Sequence, residues 1–313
     1  MRHEADEFAK AFRPPPELEG LFRELNRRDW MSLGQAQRFV DRRIAQYNAT
    51  PQPDLGGLSP NQAHLLLSDR WDGTGPLRIA EDLALSDFAQ AKALAVVNGQ
   101  RVLAWLAEHG PIALTPAGYL PRRVVAELIE RLEWAPGFIA GVREYCRVIN
   151  ELDVHPLHVN RVVLGLARLL QRRKGRLGVT RSGRELGDPA RTGELAARMF
   201  RTHFHVFDLR YGTRGFGGEE FQALLPLTLW RLSRLDTEWR SSEDLALAVT
   251  PPDVGRRYGT EVPVALGAIM AGRIFHTLCD YGLLETDLDA WSLDSERFRR
   301  TGLFGRFLSW RWP

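Results

Sequence analysis

One local pattern recurs along this chain and restricts its fold more than any other feature. A helical stretch ends at glycine, a short extended run or two-stranded ribbon follows, and threonine or aspartate then opens a new helix. The first instance is Ile112–Leu120, IALTPAGYL, directly behind Gly110 and Pro111. The second is Leu169–Leu186, LLQRRKGRLGVTRSGREL, with a Lys174-Gly175 turn, an alternating strand Leu177–Thr180 and a helix start at Gly183. In the third, His276–Phe298, a helix stops at Gly282, LLET reads as a strand, and WSLD reads as a second strand before the last helix. Helix, hairpin and capped helix in this order form the second half of a winged helix-turn-helix, where the hairpin is the wing and the preceding helix can enter a groove. The expected fold is mainly α and multi-helical, with repeated winged-helix-like units and short β-hairpins. The first instance has almost no wing.

Periodicity and breakers fill in the remainder. Helical spacing runs from Glu17 to Arg28 and from Ser32 to Tyr47, behind the break at Pro14, Pro15 and Pro16. After a Pro- and Gly-rich connector, Thr50–Gly57, Ser59 is placed to cap a helix with Pro60 at its first position. A long apolar helix is predicted over Asp87–His109, and another through Val124 to Leu132. A chain of 313 residues can bury two or three packed subdomains. The breaks suggest an N-terminal helical segment, 1–50; a helical subdomain with a degenerate winged-helix-like unit, 51–140; a winged-helix-like subdomain with a basic wing, 141–240; and a C-terminal winged-helix-like subdomain, 241–313.

Charge supplies the first functional signal. The net charge is only +3, but Lys10, Lys92 and Lys174 are the only lysines among 42 basic residues. An arginine-heavy inventory suits bidentate recognition of phosphate or carboxylate, and a GC-rich coding sequence produces the same bias. The second unit concentrates it: Arg161, Arg168, Arg172, Arg173, Lys174, Arg176, Arg181 and Arg184 fall on the helix, the hairpin and the next helix start. A hairpin tip of this kind beside a phosphate backbone would give salt-sensitive, largely sequence-independent binding, so Arg161, Arg168, Arg172, Arg173, Lys174, Arg176 and Arg181 are the candidate nucleic-acid-binding residues.

Signatures of catalysis are missing. There is no GxSxG, no HExxH and no CxxC, and the glycine-rich YGTRGFGGEE, Tyr211–Glu220, lacks the Lys-Ser/Thr of a phosphate loop. His155 and His158 in DVHPLHVN, with His203 and His205 in THFHVF, offer zinc-type ligands but no closely spaced acidic partner. The reading preferred for His203 and His205 is membership of an aromatic helix or strand with Phe200, Phe204 and Phe207, with no metal and no cofactor. Cys146 and Cys279 are too few for a disulfide framework, the N-terminus has no apolar leader, and no window approaches a membrane span. A cytoplasmic protein is expected.

Three stretches carry a family resemblance: DLGGLSPNQAHLLL at Asp54–Leu67, IALTPAGYLPRRVVAEL at Ile112–Leu128, and LARLLQRRKGRLGVTRSGREL at Leu166–Leu186. Together they resemble a bacterial family without established function, whose members often carry this region behind a plasmid-type open-reading-frame-three domain or ahead of a SEC-C motif. The resemblance spans Asp54 to Leu235 and implies a bacterial, mobile-element context. It brings no reaction and no functional residues, and neither cysteine stands in the CxC arrangement of a SEC-C motif.

Three functions compete at this level. The first is a non-enzymatic nucleic-acid-binding or regulatory protein using the basic wing, with the terminal unit around Arg273 to Arg300 as a second contact. The second is a protein-interaction scaffold docking through Trp310 and Trp312 in FLSWRWP, whose rings could instead close the core. The third is a metal-dependent enzyme centred on His203 and His205, and it ranks last.

Overall fold

The computed structural model describes residues 16–27, 32–211, 219–252, 254–255, 266–287 and 296–312. The chain divides into two units, Met1–His64 and Leu65–Pro313. In the first, helices α1 (Pro16–Arg27) and α2 (Leu33–Ala49) stand where the periodicity places them, and Arg43 reaches Glu24 at 2.7 Å. Helix α3 (Pro60–Leu67) opens as expected at Ser59, whose Oγ accepts from the Gln62 backbone N–H at 3.3 Å while the Gln62 side-chain Oε1 accepts from the Ser59 N–H at 3.0 Å.

The larger unit is mainly α, with short strands gathered into small sheets. It begins with strand β1 (Leu77–Ile79) and helices α4 (Leu85–Gln90) and α5 (Leu94–His109). The single long helix predicted over Asp87–His109 is therefore two: Lys92 adopts a left-handed φ of 51°, which a continuous helix cannot contain. After Gly110 come β2 (Ile112–Ala113), α6 (Arg122–Arg131), α7 (Phe138–Tyr145), α8 (His155–Leu166), β3 (Leu170–Arg173), β4 (Arg176–Val179) and α9 (Arg181–Leu186).

The sheet order here is β2-β4-β3, with Ile112 opposite Leu177 and Ala113 opposite Arg176. The segments at Ile112 and Leu169, read above as separate instances, are thus strands of one sheet. Gly178 eases the union: a Cβ there would stand 3.2 Å from the Pro111 ring, so a side chain would push the Gly110-Pro111 corner away from β4 by a few tenths of an ångström.

Helix α10 (Thr192–Arg201) continues as a π-helical turn, Thr202–Val206, and leads towards α11 (Glu219–Arg234). The same succession then repeats. Strand β5 (Arg240–Ser241) leads into α12 (Ser242–Val249); a helix built from α13 (Leu266–Met270), a π-helical turn at Ala271–Phe275 and α14 (His276–Asp280) leads into β6 (Leu284–Thr286), β7 (Arg297–Arg300) and α15 (Gly302–Phe307). Its sheet order is β5-β7-β6, so in both sheets the first strand joins the outer side of the hairpin's second strand. The strand expected at WSLD lies outside the described residues; the strand paired with Leu284–Thr286 is Arg297–Arg300.

The two copies share the backbone hydrogen bonds of their joints. Helix α8 ends with Arg168 at φ 58°, its N–H bonded to Gly165 O at 2.9 Å and that of Leu169 to Leu164 O at 2.9 Å; α14 ends with Gly282 at φ 70°, its N–H bonded to Cys279 O at 2.8 Å and that of Leu283 to Leu278 O at 2.9 Å. Both are Schellman closures. Thr180 then returns its N–H to Leu169 O at 3.0 Å, as Thr301 does to Leu283 O at 3.1 Å. Thr180 Oγ also accepts from the Gly183 N–H at 2.9 Å, a true N-cap, whereas Thr301 makes no side-chain cap bond. Thr180→Ala should therefore cost about 1–2 kcal/mol in urea unfolding, and Thr301→Ala measurably less.

The core is aromatic at its centre. Phe200 packs against Trp71 (5.7 Å between ring centroids), Phe204 (4.7 Å), Tyr281 (5.3 Å) and Phe307 (5.4 Å). Strand β8 (Leu308–Trp310) pairs with β1, setting Trp310 opposite Leu77, and both Trp310 and Trp312 stand edge-on to Trp230. No helix among the described residues is long and apolar enough to cross a membrane.

Candidate nucleic-acid interface

The β3–β4 hairpin turns at Lys174 and Gly175, both with positive φ (50° and 72°), the conformation that matches the twist of a tight two-residue hairpin. Its root is apolar, Leu170 opposite Val179, and both are buried. Its tip is cationic: Arg172, Arg173, Lys174 and Arg176 are exposed, and Arg173 stands directly opposite Arg176. Like charges on one cross-strand pair repel. None of these four, nor exposed Arg168, forms an ion pair with a carboxylate among the described residues.

Arg172 and Arg176 are nevertheless placed. The guanidinium of Arg172 lies over Gly118, where a Cβ would meet its Nη1 at 3.0 Å. Arg176 donates to Pro111 O, and the Leu114 N–H donates to Gly175 O at 2.9 Å, so β2 braces the tip. Arg168 sits at the closure of α8.

Two of the candidates belong to other arrangements. Arg181, on the first turn of α9, pairs with Glu185 at 2.9 Å. Arg161 gives its Nε to Glu151 at 2.6 Å and is only 14% exposed at the side chain, so it is committed to the interior. Thus the structure gathers Arg168, Arg172, Arg173, Lys174 and Arg176 at the hairpin and separates Arg161 and Arg181 from it electrostatically.

Helix α8 buries Leu157, His158, Asn160, Val163 and Leu164, sets Val159 and Val162 half-buried against the core, and leaves His155, Pro156, Gly165 and Leu166 on its exposed face. Apart from His155, that face offers little with which to hydrogen-bond a base edge. The second hairpin differs in charge. Arg299 pairs with its cross-strand neighbour Glu285 at 2.7 Å, Arg297 donates to Asp287 at 2.6 Å, and Arg299 and Arg297 lie 4.4 and 5.9 Å from the ring centroid of Trp239. Arg273, expected to extend the contact, is buried.

The histidines separate into unlike roles. His203 is buried against Phe204, Phe207 and Tyr281, and burial pushes its imidazole down to about 3. The Tyr281 hydroxyl, itself held protonated by burial, shares a hydrogen bond with His203 Nδ1 at 3.4 Å. His205 is exposed beside Trp71. No group of three or more His, Cys, Asp or Glu among the described residues could hold a metal ion. The glycine-rich stretch after Tyr211 falls mostly outside the described residues.

A further cluster escaped sequence reasoning. Glu151, wholly buried, accepts from His158 Nδ1 and Arg161 Nε at Oε1 and from the Leu120 N–H at Oε2, each at 2.6 Å. His158 Nε2 meets the Tyr211 hydroxyl at 2.8 Å. Burial pushes the Glu151 carboxyl up, but the bonds from His158, Leu120 and Arg161 outweigh it and hold it below the ordinary glutamate range. DVHPLHVN marks His158 in the sequence, but nothing in the chain links it to Tyr211.

Residues 91–192 match the family of the Y4jL N-terminal domain. That family has no established function. The matched stretch opens just before α5 and closes at the first residue of α10, so it brackets the first hairpin unit with both outer strands of its sheet. No curated protein and no solved structure matches the chain.

Proposed function

We propose that residues 94–179 form a winged helix that binds nucleic acid through its hairpin, holding the phosphate backbone without reading sequence. The observation carrying this is the Arg173–Arg176 cross-strand pair, flanked by Arg172 and Lys174 and lacking acidic partners among the described residues. Fixing like charges face to face is unfavourable in the free protein, and an anion between them relieves it. The strand order supports the winged-helix reading, and the apolar face of α8 supports backbone binding over base recognition. The wing of the second unit, with its arginines paired, would not contribute.

Docking of a protein through Trp310 and Trp312 has less behind it, since both rings are half-buried and set against Trp230. The resemblance to regions found with plasmid open-reading-frame-three domains would place such a binder in a bacterial mobile-element setting.

Fluorescence anisotropy on a random-sequence duplex, at salt rising from about 50 mM, tests the reading. The expected plot of log affinity against log salt is steep and falls alike for unrelated duplexes. Replacing Arg172, Arg173, Lys174 and Arg176 together by alanine should lower the slope by roughly 0.9 per lost phosphate contact. Absence of binding at the lowest salt, or an unchanged slope in the variant, would refute it.

A further inference from the structure

We propose that Tyr211 is the nucleophile of a phosphodiester-cleaving site, with His158 as its general base and Glu151 as the group that orients the base. A nucleophile and a base within hydrogen-bond reach, with the base fixed by a third group, is the arrangement that activates weak nucleophiles in covalent catalysis. All three parts are present: the Tyr211 hydroxyl at 2.8 Å from Nε2, the His158 imidazole, and the ionised Glu151 carboxylate at 2.6 Å from Nδ1.

The direction of each bond follows. An ionised carboxylate only accepts, so Nδ1 carries the hydrogen; in the neutral ring Nε2 then holds the lone pair and accepts from the phenol. Packing keeps that alignment. His158 is 3% exposed at the side chain, Tyr211 stacks on it at 5.7 Å with 22° between planes, and Tyr119 flanks it at 5.8 Å.

Exposure sets this cluster apart from a histidine bonded only to stabilise the core. The relay begins at a buried carboxylate and ends at Tyr211, a residue that is 45% exposed. Arg161 shares Glu151 Oε1 with His158, bonding through Nε, and so helps hold in place the carboxylate that orients the base.

In the step, Tyr211 Oη attacks phosphorus and its proton passes to His158 Nε2. An Oη–P bond forms on one side of phosphorus while the P–O bond to the leaving group breaks on the opposite side; its electron pair departs with the leaving oxygen, which leaves as the anion or takes a proton from solvent, and His158 keeps the proton it accepted. No oxidant or reductant is needed. That the natural phosphodiester is the nucleic acid held by the hairpin rests on the function proposed above; the reactivity of Tyr211 does not.

The test uses the full chain and the p-nitrophenyl ester of thymidine 5′-monophosphate. The expected result is one equivalent of p-nitrophenolate released per chain, with the nucleotide found on Tyr211 by peptide mass spectrometry. Tyr211→Phe should abolish the adduct, and His158→Gln should slow it by about 100-fold or more. Added imidazole should restore part of the rate in His158→Ala, which a purely structural histidine would not allow. Tyr145→Phe, at an exposed phenol outside the Glu151–His158–Tyr211 cluster, should change nothing. No adduct on the wild-type chain, an adduct elsewhere, or full release by Tyr211→Phe would overturn the assignment. Because the ester is small, the wing variant should still react, so failure of duplex binding and failure of this chemistry are read separately.

Discussion

Glu151→Ala is expected to destabilise the protein by about 3–5 kcal/mol, because it strands two cationic or polar side chains and a backbone donor in the interior. The Arg161 guanidinium, the His158 Nδ1–H and the Leu120 N–H all end on this carboxylate. For a unit of this size the loss corresponds to a fall in Tm of about 10 °C. Glu151→Gln should cost less, since an amide oxygen can still accept from one donor. The pH dependence has a definite sign. Glu151 is held below its ordinary value of 4.5 in the folded chain, so its contribution is fully present above that value and is lost as pH falls through the lower folded one. The gap between wild type and Glu151→Ala should thus be widest near neutrality and close in acid. Equal melting of the two proteins at neutral pH would show that the cluster contributes nothing to the fold.

His203→Phe should separate from wild type in the opposite comparison, gaining relative stability as the solution is acidified. An imidazole at 6.5 in the unfolded chain and about 3 in the folded one leaves both states neutral above 6.5. Below that, only the unfolded chain takes the proton, and wild type loses about 1.4 kcal/mol per pH unit until the folded value is reached. Phenylalanine has no such loss, so the variant should gain about 3 kcal/mol on wild type between neutrality and pH 4.5. The difference between proteins is the quantity to measure, because Asp280 works the other way: burial raises its carboxyl to about 6, so its contribution is lost as pH rises through that value. That background is common to both chains and cancels. Parallel urea titrations of the two proteins at the two pH values are the measurement. A constant difference would mean that the His203 ring takes up its proton in the folded chain as readily as in the unfolded one, contrary to the burial that disfavours its charged form.

How far each element could be read depended on the range of the interactions behind it. The cap at Ser59, the start at Pro60, the stop at Gly110 and the turn at Lys174-Gly175 are decided within a few residues, and the structure has them where the sequence puts them. The break at Lys92 was hidden because nothing in the local pattern favours a left-handed lysine; tertiary packing imposes it around Ala93, which is fully buried. The hairpin charge was legible as a run of arginines. Its imbalance was not, since a run does not say which arginines find acids: Arg161 is taken by Glu151 and Arg181 by Glu185, while Arg173 faces Arg176.

By itself, then, the chain's order of residues determined that it would be mainly helical, that helices would end at left-handed closures, and that a cationic ribbon would project between Leu170 and Val179. Only the tertiary structure decided that Ile112 joins that ribbon, that the whole arrangement occurs twice, and that Tyr211 comes to rest on His158. The reason is physical: caps and turns are set by neighbours along the backbone, whereas strand order and buried polar contacts are settled between segments far apart in sequence, where no local spacing records the pairing.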